Sequence, residues 1–311
     1  MRRFKRSFLA SVLVLGGGFV LAAGAQAYTF TTIDGPGDSG GTFATGINDN
    51  SAVVGYYVST SGTHGFLDQD GTFTTLNDPL ATNSTLIYGI NDNGAIVGTF
   101  NDGTGNHGFL DLSGTFTTLN DPLATGDTVA LGINGNNAIV GYYVGAGYAV
   151  HGFLYQNKTF TTIDNPATPG ETYAYGINDN GAIVGSGFLY QGGIFTTLSE
   201  GASGINDSGA MVGSFTDSTG SHGFLNQGGT LTVVNDPFAT GGTAANGLNG
   251  NDAIVGWFWD GTGAGVHGFL ATPGLIGMPP TAPVPDPSSL GLMGSGLALL
   301  ALLRRRRRTN V

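Results

Sequence analysis

Between residues 28 and 272, short apolar runs rich in Ile, Val, Phe, Tyr and Thr alternate with breaks of Gly, Asn and Asp. Runs this short, bounded by turn-forming residues, predict strands and not helices. The alternation is itself periodic. Gly-Ile-Asn-Asp or a near variant starts at Gly46, Gly89, Gly132, Gly176, Gly204 and Gly247, with spacings of 43, 43, 44, 28 and 43 residues. A run of the type Ala-Ile-Val-Gly then ends at Gly55, Gly98, Gly141, Gly185, Gly213 and Gly256. His-Gly-Phe-Leu follows at His64, His107, His151, His222 and His267. Thr-Phe-Thr-Thr-Leu or a relative starts at Thr72, Thr115, Thr159, Ile194 and Thr230. Asn50, Asn93-Gly94, Asn180-Gly181 and Ser208-Gly209 mark tight turns between the first and second strands.

Four strands in roughly 43 residues is the size of a β-propeller blade. The expected fold is therefore all-β: a six-repeat β-propeller-like domain of four-stranded blades. The fourth unit is reduced, keeping Ser186-Gly187-Phe188-Leu189 without the histidine. Its short spacing predicts a three-stranded blade with residues 182–191 running as one strand. The repeat region opens on a lone fourth-strand sequence, Tyr28 to Ile33, and its last unit, Gly247 to Leu270, lacks a fourth strand. Pairing of residues 29–33 with 267–270 would close the ring and remove its exposed edges.

The two ends differ from this body. Arg2, Arg3, Lys5 and Arg6 precede an apolar run from Phe8 to Ala23, and Ala25-Gln26-Ala27 follows. That order predicts a helical signal peptide over residues 1–27, cleaved at the Ala25 and Ala27 site. Residues 273–284 form a Pro-rich linker. Residues 285–311 form a tail with a 15-residue uncharged segment, Ser289 to Leu303, and then Arg304, Arg305, Arg306, Arg307 and Arg308. The apolar segment, expected to be helical, is short for a membrane span of about 20 residues. The arginine block belongs in the cytoplasm. Val284-Pro285-Asp286-Pro287, the apolar segment and the arginine cluster together resemble the PEP-CTERM sorting signal. The resemblance implies a Gram-negative source, an exosortase-type membrane processing enzyme as partner and transient anchoring by the tail. It also implies a final place at the cell surface or in the extracellular (biofilm) matrix. Asp286 stands where that family usually has Glu. Over residues 28–272 the repeats resemble extracellular HAF-type repeats, a likeness that carries no chemistry with it.

Composition narrows the function classes. Glycine, at 56 residues, suits many tight turns. There is no cysteine, hence no disulfide and no thiol chemistry. Nine of the ten basic residues lie in the two ends, so residues 28–284 carry twenty acids against Lys158 alone. A body this acidic repels nucleic acid and anionic membrane surfaces. Membrane contact is expected only through the terminal segments.

Candidate chemistry is sparse. The repeated histidines start each third strand, too far apart to share an ion, and read as blade-building hydrogen bonders. Asn48-Asp49, Asn91-Asp92, Asn178-Asp179 and Asn206-Asp207 suit either Ca²⁺ or Asx turns. Gly135 and Gly250 replace the aspartate in two units and favour the turn. No nucleophile elbow, zinc motif or phosphate loop occurs, and no cofactor is expected. The candidate ligand face is aromatic: Tyr56, Tyr57, Tyr142, Tyr143, Trp257 and Trp259, just past the second-strand glycines. The expectation is a secreted, exosortase-sorted surface or matrix protein. Its repeat domain would be non-catalytic, scaffolding or binding a partner such as exopolysaccharide. A Ca²⁺-dependent adhesin and an extracellular hydrolase are the alternatives.

Overall fold

The computed structural model describes residues 28–262 and 265–274. The expected signal peptide, the expected linker beyond Gly274 and the expected sorting tail lie outside the described residues. The described residues form six four-stranded antiparallel blades, with a parallel bridge from Thr63 on the third strand of the first blade to Ser84 on the inner strand of the second. In the first blade the strands are Asp38–Ile47, Val53–Ser59, Gly62–Gln69 and Thr72–Leu76, running from the centre outward. The inner strands of the others are Ser84–Ile90, Thr128–Ile133, Ala174–Ile177, Ala202–Ile205 and Gly242–Leu248. Each inner strand neighbours the next, and the sixth neighbours the first. The chain is thus a closed β-propeller.

Two of the repeated phrases are halves of one contact. A Cβ at Gly55 would stand 2.0 Å from the Phe43 carbonyl oxygen and 2.8 Å from the Phe66 ring. Only glycine lets the third-strand phenylalanine lie flat across the second strand. Phe109 on Gly98, Phe153 on Gly141, Phe188 on Gly185, Phe224 on Gly213 and Phe269 on Gly256 repeat it. All six phenylalanines are buried. Each contributes about 1.5–3 kcal/mol of hydrophobic stabilisation.

Between blades, apolar residues of both neighbours interleave. Val54 of the first blade packs with Ile87 and Phe109 of the second, and equivalent clusters recur around the ring. The seam between the fourth and fifth blades is the thinnest, built on Ala182, Val184, Ala202 and Ile205 without a buried aromatic.

The ring closes through Tyr28–Ile33, the outer strand of the sixth blade, on Val266–Pro273. Pairing runs from Ile33 opposite Gly268 to Tyr28 opposite Pro273, displaced outward from the expected 267–270. The displacement has a cause. His267 is not a rung of this ladder; its Nδ1 bonds Asp34 Oδ1 at 2.7 Å, just past the strand end.

The fourth blade corrects the sequence reading. It has four strands: Ala174–Ile177, Ile183–Gly185, Phe188–Gln191 and Ile194–Thr197. Residues 182–191 do not run as one strand. Ser186 and Gly187 turn the chain back at once, with Gly187 at φ +75°. The deletion shortened the hairpin without removing a strand, because the Gly185 and Phe188 contact still requires two strands.

Candidate functional site

The six inner strands enclose a central channel, and their sequence divides it. The glycine of each Gly-Ile-Asn phrase sits where neighbouring inner strands approach backbone to backbone. A Cβ on Gly46 would lie 3.2 Å from the Gly89 Cα, and the same contact runs around the ring at 3.0–3.5 Å. This waist encloses a cavity of about 70 Å³. Below it, toward the Asn-Asp turns, lies a mouth of about 90 Å³. Above it, toward the loops that link blades, lies a wider cup of about 250 Å³.

The lower mouth is built by repetition. Asn48, Asn91, Asn134, Asn178, Asn206 and Asn249 are buried. Each donates its Nδ2–H to the backbone carbonyl of the equivalent asparagine in the next blade, at 2.9–3.1 Å, and Asn249 closes the circle on Asn48. Each Oδ1 accepts the amide N–H four residues on, fixing the turn into the second strand. The following aspartates do related work. Asp92 accepts from the Asp49 N–H, Asp179 from Gly135, Asp207 from Asp179 and Asp49 from Gly250, at 2.6–2.8 Å. These carboxylates are acceptors for the neighbouring blade, a role beyond the Asx turn that the sequence suggested. Among the described residues no group of three or more His, Cys, Asp or Glu is arranged to hold a metal ion.

The upper cup is built by variation. Its floor is the residue just before each Gly-Ile-Asn phrase: Thr45, Tyr88, Leu131, Tyr175, Ser203 and Asn246. Phe43, Tyr56 and Trp257 complete the wall. Phe43 stacks on Tyr56 with ring centroids 4.9 Å apart, meets Trp257 edge-on at 5.8 Å, and Tyr56 meets Tyr88 edge-on at 6.1 Å. The aromatic side therefore spans the sixth, first and second blades. Thr45 donates to the Ile87 carbonyl and Asn246 Nδ2 to the Ala44 carbonyl. Among the described residues, no protein group hydrogen-bonds the hydroxyls of Tyr56, Tyr88, Tyr175 or Ser203. Burial pushes the Tyr56, Tyr88 and Tyr175 phenols up, so they remain neutral donors at physiological pH. No residue lining the cup is an acid, a base or a histidine.

Strand alternation divides the six aromatics singled out in the sequence. Tyr56 and Trp257 face the channel. Tyr57, next to Tyr56, and Tyr143, next to Tyr142, are buried inside their blades, where Tyr57 bonds Thr75 and Tyr143 bonds Thr162. They therefore have no face to offer a ligand. Tyr142 does not line the cup and lies edge-on to Tyr173 at 5.0 Å. Trp259 is exposed at the rim. The histidines lie at the outer part of the blades. Each packs against the second-strand aromatic, stacked for His151 and His267 and tilted for the others, and bonds the residue after the fourth strand: Asn77, Asn120, Asp164, Asn235 or Asp34.

No family model matches the chain, and no curated protein matches it. Among solved structures the chain is similar to a catalytically inactive virginiamycin B lyase from Staphylococcus aureus with quinupristin. Identity is 12% and the TM-score 0.45, over 78% of this chain and 99% of that one. It is also similar to the Aleuria aurantia lectin in complex with Fucalpha1-6GlcNAc. There identity is 12% and the TM-score 0.33, over 83% of this chain and 82% of that one. The propeller assignment rests on the strand pairing described above.

Proposed function

We propose that the chain is a secreted, exosortase-sorted surface or matrix protein whose propeller is a non-catalytic carbohydrate-binding module. The upper cup carries the binding part of this reading. It combines flat aromatic faces with hydroxyls that lack protein partners and carries no carboxylate, amine or imidazole. A pyranose presents an apolar C–H face for such rings and a rim of hydroxyls for such donors and acceptors. General acid–base catalysis would need a carboxyl or an imidazole within reach of the ligand. The cup lining has neither, which favours binding over turnover. The export part rests on the two ends of the sequence and their likeness to sorting signals.

Binding is tested on a panel of neutral and uronic-acid glycans with the full-length protein and its Trp257→Ala variant. Retention of neutral sugars by the wild type and their loss in the variant is the expected result. Indifference to every neutral sugar would refute the reading. For sorting, deletion of residues 285–311 should change where the protein accumulates while its melting temperature stays the same.

A further inference from the structure

We infer that the cup takes the terminal ring of a linear, uncharged glycan, and that the rest of the glycan leaves sideways over the fourth blade. This rests on the carbohydrate reading of the cup and goes beyond it to the kind of ligand.

The floor decides the first part. A cavity of about 150 Å³ accommodates a benzene ring. The cup, at about 250 Å³, has room for a six-membered ring with its hydroxyls. The waist and the lower mouth, at about 70 and 90 Å³, do not. The waist is narrow because backbone meets backbone at the six glycines, so no side-chain movement opens it. A glycan cannot thread the ring; its last unit stops at the floor.

The rim decides the second part. In the fifth blade the hairpin of second and third strands continues four rungs past the Gly213 and Phe224 pair, to Asp217 opposite Gly220. In the fourth blade it ends at the Gly185 and Phe188 pair itself. At about 3.3 Å per residue, roughly 13 Å of wall is missing there. The link that follows is also short. Four residues, 198–201, join the fourth blade to the fifth, where seven, 77–83, join the first to the second. Both deletions lie on the upper face of one blade, so the rim has a gap.

Aromatic rings line the path from the cup to that gap. On the fourth blade itself Tyr175 lies in the cup floor, and Tyr173, whose carbonyl accepts from the Ser186 N–H at the gap, stacks on it at 6.2 Å with the rings 17° from parallel; Tyr142 of the third blade meets Tyr173 edge-on from the side. Successive sugar rings have successive stacking faces along this line. Glu200 lies in the short link beside the gap, and the body carries twenty acids against one lysine. A uronic-acid polymer would be repelled on leaving the cup.

The test uses the full-length protein, the neutral monosaccharide retained best on the panel, its linear trimer and a cyclic oligomer of the same sugar. Calorimetry should show the trimer binding about tenfold more tightly than the monosaccharide, and the cyclic oligomer not binding. One variant replaces Ser186-Gly187 with residues 214–223, rebuilding the missing hairpin. A second, Tyr173→Ala, covers the case in which the first does not fold. Either should erase the trimer's advantage, read as the ratio of trimer to monosaccharide affinity within the same variant. Monosaccharide binding with a trimer advantage that survives in a folded variant, or with equal binding of the cyclic oligomer, overturns this inference alone. Failure of every neutral sugar to bind overturns the carbohydrate reading as well.

Discussion

The two mouths of the channel are made by the same six inner strands and obey opposite rules. At the lower mouth every blade supplies asparagine, and each asparagine makes the same bonds. At the upper mouth the equivalent position holds Thr, Tyr, Leu, Tyr, Ser and Asn in turn. Only a glycine and an isoleucine, Leu248 in the sixth blade, separate the two positions. Ring closure needs six identical interlocks, so the lower position cannot vary without breaking a link. At the upper position only Thr45 and Asn246 bond a neighbouring blade, so four of the six positions are free of that duty. Sequence variation among repeats of one chain therefore separates what builds the ring from what faces a ligand.

Breaking an interlock should have the largest effect. Asn134→Ala removes the bond to the Asn178 carbonyl and leaves the buried Ala138 N–H without its acceptor. A lost net hydrogen bond plus an unsatisfied buried group predicts a loss of about 2–4 kcal/mol. Urea unfolding would measure it. A loss below about 1 kcal/mol would mean that the interlocks are not what holds the blades in register.

The upper mouth should behave in the opposite way. Trp257→Ala removes a half-buried ring whose main contact is the edge of Phe43. Stacking of this kind is worth about 0.5–1.5 kcal/mol, so glycan affinity should fall about tenfold. The melting temperature should move by no more than a degree or two. A variant that binds normally but melts early would erase the contrast between the mouths.

A gain of stability should also be available, and only at the lower mouth. Each turn there places its fourth residue at positive φ. Gly94, Gly181 and Gly209 take this freely, while Ser51 is held at φ 61°. Ser51→Gly should raise stability by about 0.5–1 kcal/mol, the left-handed strain relieved less the entropy glycine adds to the unfolded chain. A thermal melt of the variant decides it. No gain would mean that Ser51 has contacts worth its strain.

The fold was legible because its periodicity survives in the sequence. Asn48 and Ala52 recur at a fixed offset of four residues, and Gly55 and Phe66 recur in fixed order across a hairpin of varying length, and each recurrence constrains the same contact. The site was half legible. Tyr56 and Trp257 were visible as aromatics, but composition does not give the phase of a strand. Tyr57 and Tyr143 were therefore grouped with them until pairing showed which neighbour turns inward. Tyr88, Tyr175 and Ser203 escaped notice altogether. The signal was one variable position inside an otherwise fixed phrase, and it means nothing until the phrase is placed on the innermost strand. The gap at the fourth blade was visible as a missing 15 residues, the difference between spacings of 43 and 28. Its place between the second and third strands was readable too, but not that both strands survive as a hairpin turning at Ser186 and Gly187.

The smallest expected effect concerns repeated residues near the upper face. If repetition marks structure there too, His267 should act on stability through the closing seam. Burial works against charge on its ring. The hydrogen bonds and charges of Asp34 and Asp260 outweigh that, and its pKa is raised. Asp236 also feels its charge, and Phe258 stacks against the ring. The folded protein thus holds the His267 proton more tightly than the unfolded chain does. The resulting stabilisation is fully present below the unfolded pKa of about 6.5 and is lost as pH rises through the higher folded value. Asp34 is half exposed, so solvent screens the pair and the change is small. Between about pH 6 and about pH 8 the melting temperature of the wild type should fall more than that of Asp34→Asn. The difference between the two slopes isolates this pair from the other four histidines. Identical slopes would mean that the closing strand is held by its backbone ladder alone, and that the histidine repeated in five blades matters for packing and not for charge.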